Sequence, residues 1–275
     1  EAIWGEGTFR KIPMPTYSFQ RERCWVTDKS GKAMHPMIDA NESTLQGFVL
    51  KKTLSLKDFY LKDHIVDGKV ILPGVFYLEM AREAGRIAAG EEVTEITNIM
   101  WLKTFELNSE RKDIYISIVP RQQFKEFEIY SMRERKKLLH AQGRILTGER
   151  DVLETAERFD ITEIKERCIY SIDHNRCYQD VFKDFIGFDY GPGFQVTHMA
   201  YGNEEEGLEE LLLPAHLEES FQDYVLHPSI LDAALRAITW VGGEAAYKSK
   251  VLHIPFALGK LEILGKMTKK GYSYA

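Results

Sequence analysis

The architecture turns on His64-Ile65-Val66-Asp67-Gly68-Lys69-Val70-Ile71-Leu72-Pro73-Gly74 and its continuation through Val75, Phe76, Leu78, Met80, Ala81, Ala84, Ile87 and Ala88 to Gly90. Asp67-Gly68 is a pair that favours a tight two-residue turn, and Lys69 to Leu72 can form a short strand after it. Pro73 then stands where a helix begins and Gly90 just past where one ends. The apolar positions between them cover more than one face, so the spacing predicts a helix buried inside a sheet.

The same plan recurs downstream. A loop at Gly191-Pro192-Gly193 leads into alternating strands near 194–214, followed by a helix opened by Pro228. That helix is expected to bury Ile230, Leu231, Ala234, Leu235 and Ile238 and to stop at Gly242-Gly243. The flanking runs Gly47-Phe48-Val49-Leu50 and Asp113 to Val119 are β-like, the second alternating as a half-buried strand does. Two units of strand, proline, buried helix and further strands imply an α+β fold with an internal duplication of architecture. Residues 1–34 carry prolines, glycines and aromatics without a sustained period and read as a preceding linker. The polar stretch at 148–168 separates the units, giving an N-terminal unit over 35–155 and a C-terminal unit over 165–275.

Composition narrows the function. The 275 residues are 44% hydrophobic and 28% charged, ordinary values for a globular chain. A net charge of -6 disfavours a nucleic-acid surface over the whole molecule. No apolar run is long enough to span a bilayer and no signal peptide opens the chain, so a cytoplasmic protein without membrane association is expected. Cys24, Cys168 and Cys177 lack metal-type spacing and read as reduced, packed thiols. His35, His140, His174, His198 and His253 form no metal-binding pattern, and neither a dinucleotide fingerprint nor a Walker sequence occurs. No metal and no cofactor of its own are expected. Glu204-Glu205-Glu206 with Glu209-Glu210 reads as a solvated acidic loop. The chain opens without methionine and stops in a strand-like run, as a piece of a longer polypeptide does.

His64 alone supports two readings: a hairpin residue with a satisfied ring, or a base with near-neutral affinity for protons beside unpaired N–H groups at a helix start, including that of Gly74. A resemblance weighs between them. His64-x3-Gly68-x4-Pro73 resembles the signature of the dehydratase domains of modular polyketide synthases. Gly187-Phe188-Asp189-Tyr190-Gly191-Pro192-Gly193-Phe194 is similar to the family's Gly-Tyr-x-Tyr-Gly-Pro-x-Phe loop, with Phe188 in place of the first tyrosine. His227-Pro228-Ser229-Ile230-Leu231-Asp232 resembles the segment bearing the family's catalytic aspartate, and Ile254-Pro255-Phe256-Ala257-Leu258-Gly259 its closing strand. Residues 12–25 resemble the linker before such domains. The matches run in the same order over nearly the whole chain.

The resemblance implies a double hotdog, two antiparallel sheets each wrapping a central helix. It further implies loss of water from a β-hydroxyacyl thioester carried on the phosphopantetheine of an acyl carrier protein, with His64 as base and Asp232 as acid. Tyr190 would hydrogen-bond the β-hydroxyl or orient Asp232. Gly68, Pro73, Gly191, Pro192 and Pro228 would shape the motifs. The partners implied are the carrier protein, neighbouring domains of the same synthase and a second copy in a homodimer. Such carriers are typically acidic, so docking on a chain of net negative charge calls for a local basic patch or apolar contacts.

Two features bear on the acid. Asp232 is expected in the first turn of its helix, where the macrodipole favours the carboxylate, whereas burial favours the protonated form. The family usually has Gln or His four residues after the aspartate, and this chain has Arg236. A guanidinium turned inward would make Asp232 a poorer proton donor. Either Arg236 points outward, or the dehydration is weakened or altered toward shifting a double bond or closing a ring. A non-catalytic acyl-carrier-binding domain is the third reading.

Overall fold

In the computed structural model, residues 34–148, 158–243, 248 and 254–275 are described. The expected linker over 1–34 therefore lies, apart from Met34, outside the described residues, as do Cys24 and the centre of the polar stretch at 148–168.

The first helix-bearing half contains β1 (Ala40–Asn41), β2 (Phe48–Ser55), α1 (Phe59–Lys62), β3 (His64–Val66), β4 (Lys69–Val70), α2 (Gly74–Ala89), β5 (Val93–Trp101), β6 (Arg111–Pro120), β7 (Lys125–Arg133) and β8 (Lys136–Thr147). The second contains α3 (Ile161–Arg167), β9 (Tyr170–Asp173), α4 (His174–Arg176), β10 (Phe188–Tyr190), β11 (Thr197–Gly202), β12 (Gly207–Leu212), α5 (Pro228–Arg236), β13 (Ala257–Glu262) and β14 (Lys270–Tyr274). Between α4 and β10, Cys177–Ile186 winds as a π-helical segment.

Helix α2 follows its punctuation. Pro73 is the N-cap, and Gly90 closes the helix in the left-handed region with φ 72°. Every residue from Val75 to Gly85 is buried, including Glu79, Arg82 and Glu83. The enclosing sheet is antiparallel in the order β1-β2-β6-β7-β8-β5-β13. Its inner face is built by alternation: Ile114, Ile116 and Ile118 of β6 and Phe127 and Ile129 of β7 are buried. Buried charges on the helix are paired, Arg82 making a two-point contact with Glu79 at 2.8 and 2.9 Å and a third with Glu83 at 3.0 Å.

Helix α5 lies against a smaller antiparallel sheet, β14-β12-β11-β9. It is shorter than the sequence suggests, passing at Arg236 into a 3-10 turn over Ala237–Trp240. Ile230 and Leu231 are buried, but Leu235 and Ile238 are exposed. A four-stranded sheet covers one stripe of a helix, not its whole circumference.

Two pairings join the halves. β13 adds to the edge of the larger sheet through β5, with Leu258 opposite Ile99 and Leu261 opposite Ile96. In a three-stranded sheet, β10-β3-β4, β10 of the second half pairs with β3 of the first and sets Tyr190 opposite His64. The hairpin from β3 to β4 turns on Asp67 and Gly68 with φ of 48° and 73°, both in the left-handed region, as an Asp-Gly turn of the primed type requires.

Candidate active site

His64 enters the site from β3 and is 4% exposed. Its Nδ1 lies 2.8 Å from the carbonyl oxygen of Ile71. A carbonyl only accepts, so Nδ1 carries the proton and Nε2 presents a lone pair. Burial lowers the proton affinity of the ring below the ordinary value of 6.5, with the nearby Asp232 opposing that fall. A neutral imidazole with Nε2 free is the form a base needs. The rings of Phe194, Tyr190 and Phe188 stand 5.3, 5.6 and 5.8 Å from it.

Asp232 arrives from α5 with Oδ1 3.9 Å from His64 Nε2, too long for a hydrogen bond. Thus an imidazole from the first half and a carboxyl from the second converge. Asp232 is the fifth residue of a helix beginning at Pro228, so it stands past the first turn, contrary to the expectation from sequence. The macrodipole falls off within that turn, and its argument for the carboxylate does not apply.

Arg236 points inward. Its Nη1 is 3.3 Å from Asp232 Oδ2, while Nη2 reaches the Tyr178 hydroxyl at 3.1 Å and Thr197 Oγ1 at 3.3 Å. The guanidinium carbon lies 4.4 Å from the centroid of the Tyr190 ring and 4.7 Å from that of Phe182. Tyr190 is buried, and burial first, then the charge of Asp232, raises its phenol well above its ordinary value of 10.0. It is therefore a neutral phenol at any ordinary pH. Phe188 stacks flat on it at 5.2 Å, supplying an apolar wall.

The Gly191-Pro192-Gly193 loop clamps these elements. The Gly191 N–H donates to the carbonyl of Asp63 at 2.9 Å, and that of Gly193 to Asp63 Oδ2 at 2.9 Å. Asp63 is the residue before His64. On the other side the Ser229 hydroxyl donates to the carbonyl of Gly193, one turn before Asp232. A Cβ on Gly193 would lie 2.7 Å from Asp63 Oδ2, so glycine is required for this approach. Gly74 heads α2, and its carbonyl accepts from Trp101 Nε1 at 3.0 Å. Pro228 occupies the first position of α5.

Reasoning from sequence missed Asp63, Tyr178, Thr197 and Glu209. The acidic run is not a solvated loop throughout. Glu209 is 0% exposed on β12, accepting from Thr197 Oγ1 at 3.1 Å and from the Trp240 indole. Glu206 is buried against Arg167, whereas Glu204 and Glu205 are exposed. Nothing in a string of glutamates marks out the one that faces inward. Among the described residues Cys168 and Cys177 are free thiols, no cluster of His, Cys, Asp and Glu could hold a metal ion, and no helix is long and apolar enough to cross a membrane.

The comparisons with known proteins lead to polyketide synthases. Residues 35–132 match the family described as polyketide synthase dehydratase domain, and residues 156–275 the one described as polyketide synthase dehydratase N-terminal domain. A trans-AT polyketide synthase dehydratase domain of Brevibacillus brevis is 30% identical, with a TM-score of 0.79 over 88% of this chain and 85% of that one. The dehydratase domain of the CurK module of curacin polyketide synthase shares the fold at 24% identity, with a TM-score of 0.76 over 88% of this chain and 86% of that one. Two solved forms of it are inactive mutants, one with histidine replaced by phenylalanine, the other with aspartate replaced by asparagine. Polyketide synthase PksM of Bacillus subtilis strain 168 is 33% identical over 99% of this chain, which spans only 7% of that protein's length. The chain belongs to the polyketide synthase dehydratase-domain family, and its fold is the double hotdog.

Proposed function

We propose that this domain removes water from a β-hydroxyacyl thioester held on the phosphopantetheine of an acyl carrier protein, giving an α,β-unsaturated acyl chain. The observation that carries the reading is the 3.9 Å approach of His64 Nε2 to Asp232 Oδ1, between groups from opposite halves of the fold. Dehydration needs a base at the α-carbon and an acid at the oxygen on the adjacent carbon, so the two groups must reach neighbouring atoms of one ligand.

His64 Nε2 takes the α-proton. The electron pair left behind forms the double bond as the β-carbon–oxygen bond breaks, and Asp232 gives its proton to the departing hydroxide, which leaves as water. The N–H of Gly74 at the head of α2 polarises the thioester carbonyl, and Tyr190 holds the β-hydroxyl. Afterwards the proton taken from carbon sits on His64 and Asp232 is a carboxylate. Their closeness lets that proton pass on and restore the starting state. The relative whose histidine and aspartate variants are inactive supports the same pair of residue types. The domain has no cofactor of its own in this scheme. It works in the cytoplasm, as a homodimer, among neighbouring domains of a larger synthase.

One observation favours a second reading. Arg236, where the resemblance leads one to expect glutamine or histidine, contacts Asp232 Oδ2 at 3.3 Å. A domain that kept the base but lacked the acid would shift a double bond or assist ring closure on an enoyl chain. Incubation with short β-hydroxyacyl carrier proteins of both hydroxyl configurations, followed by mass spectrometry, separates the readings. Loss of one water supports the dehydratase. No loss with either configuration, together with turnover of an enoyl substrate, would establish the second reading in its place.

A further inference from the structure

The proton inventory behind Arg236 identifies a third partner in the site. The Tyr178 hydroxyl accepts from the Thr197 N–H at 2.9 Å and from Arg236 Nη2 at 3.1 Å, and donates to the carbonyl of Phe194 at 3.0 Å. Both of its lone pairs and its proton are then used. The Thr197 hydroxyl accepts from Arg236 Nη2, so its own proton has Glu209 Oε2 as its acceptor, at 3.1 Å. The other oxygen of Glu209 accepts from the Trp240 indole, which can only donate. Burial raises the proton affinity of this carboxyl above its ordinary value, and Arg236 foremost among its neighbours opposes that rise.

We propose that Glu209 is a positioning residue of the active site. Through Thr197 it holds Arg236 from behind, so that Arg236 fixes Asp232 Oδ2 in place. This rests on the dehydratase reading. The groups that titrate or carry charge around this line are His64 on β3, His174 on α4, whose Nδ1 lies 2.8 Å from the Thr197 carbonyl, Tyr190 on β10, Tyr178 and Cys177 in the π-helical segment, Asp232 and Arg236 on α5, and Glu209 on β12. Of these, Glu209 alone is a carboxyl on the far side of the guanidinium.

The test compares kcat and KM for dehydration in the parent, Glu209→Gln, Thr197→Val and Thr197→Ser. Glu209→Gln weakens the line that holds Arg236 against Asp232 Oδ2, and kcat should fall at least about tenfold with KM changed less than about twofold. Thr197→Val, which cuts the bridge, should copy that split, and Thr197→Ser should restore the parental values; this pair settles the matter if Glu209→Gln does not fold. An unchanged kcat in Glu209→Gln, or in Thr197→Val, while the parent turns over would overturn this inference alone. A parent that removes no water would overturn the dehydratase reading, and this inference with it.

Discussion

Arg236 and Asp232 meet on the side of the carboxyl away from His64: Nη1 of the arginine is 3.3 Å from Oδ2, while Oδ1 is 3.9 Å from the imidazole. The two oxygens therefore have separate surroundings. One is held by a fixed guanidinium, and the other faces the base. The arginine that replaces the family's usual glutamine or histidine is built into the site and does not turn toward solvent.

The pair His64 and Asp232 sets the first prediction. Asp232→Asn keeps the shape but has no proton to give, and His64→Phe keeps the aromatic packing but has no base. Each should lower dehydration by at least about a hundredfold, the contribution typical of a positioned acid or base. If Asp232→Asn retained turnover on an enoyl substrate while His64→Phe lost it, the double-bond-shifting reading would stand instead.

The base must be neutral to work. Its proton affinity in the folded protein lies below 6.5, burial being the main cause. Activity is therefore present above the folded value and is lost as pH falls through it. The acid limb of kcat/KM should sit below pH 6.5, read from initial rates with a carrier-bound substrate. A limb above that value would mean that a different group acts as base.

Glycine at 191 is held there by a close approach. A Cβ would stand 2.7 Å from Cγ of Asp63, which is itself hydrogen-bonded to Gly193 and 4% exposed. Gly191→Ala must push the loop off Asp63 and with it the pairing of Tyr190 with His64. It should cost about 2 kcal/mol in stability, as overpacking does, and lower dehydration more than tenfold. Urea unfolding and the mass assay check the two parts separately.

The stretch from His64 to Gly90 was legible because its signals are local. Asp67-Gly68 needs two positive φ angles, Pro73 starts a helix and Gly90 ends one, and each residue acts within a few positions of itself. Asp232's place in its helix was misread as the first turn, although counting from Pro228 makes it the fifth residue and puts it past that turn. The direction of Arg236, the burial of Glu209 and the addition of β13 to the first sheet were not legible. Each is set by a surface that forms only when distant segments pack. Arg236 turns inward because Tyr178 and Thr197, which are far from it in sequence, offer acceptors. An i,i+4 spacing to aspartate is the same on a solvated helix face.

Glu79, outside the motifs, also links the halves. Its carboxylate accepts from the N–H groups of Val225 and Leu226, both at 3.0 Å, while pairing with Arg82. These two residues precede His227 and the start of α5. Glu79→Ala leaves Arg82 short of a partner in the core and two backbone donors without acceptors. It should destabilise the fold by about 4 kcal/mol, in the range seen when one member of a buried ion pair is removed. Chemical denaturation measures it, and a loss below about 1 kcal/mol would show that the contact carries little of the connection.

His227 gives a prediction about acid stability. The ring is 0% exposed, stacked with Phe221 at 5.3 Å and Phe59 at 5.7 Å, and neither nitrogen has a hydrogen-bond partner. Burial lowers its proton affinity from 6.5 to about 4. Between those values the unfolded chain takes up a proton that the native ring refuses. Stability therefore rises with pH across that window and is lost as pH falls through it. The gap corresponds to roughly 3 kcal/mol. His35, His64 and His140 are also lowered by burial and act with the same sign, so the slope should diminish in His227→Phe without vanishing. Phenylalanine keeps the stack and removes both unpartnered nitrogens. Unfolding free energies measured across the window should show the variant losing roughly 3 kcal/mol less than the parent on acidification. Parallel curves for the two proteins would mean that His227 finds a proton partner in the native state.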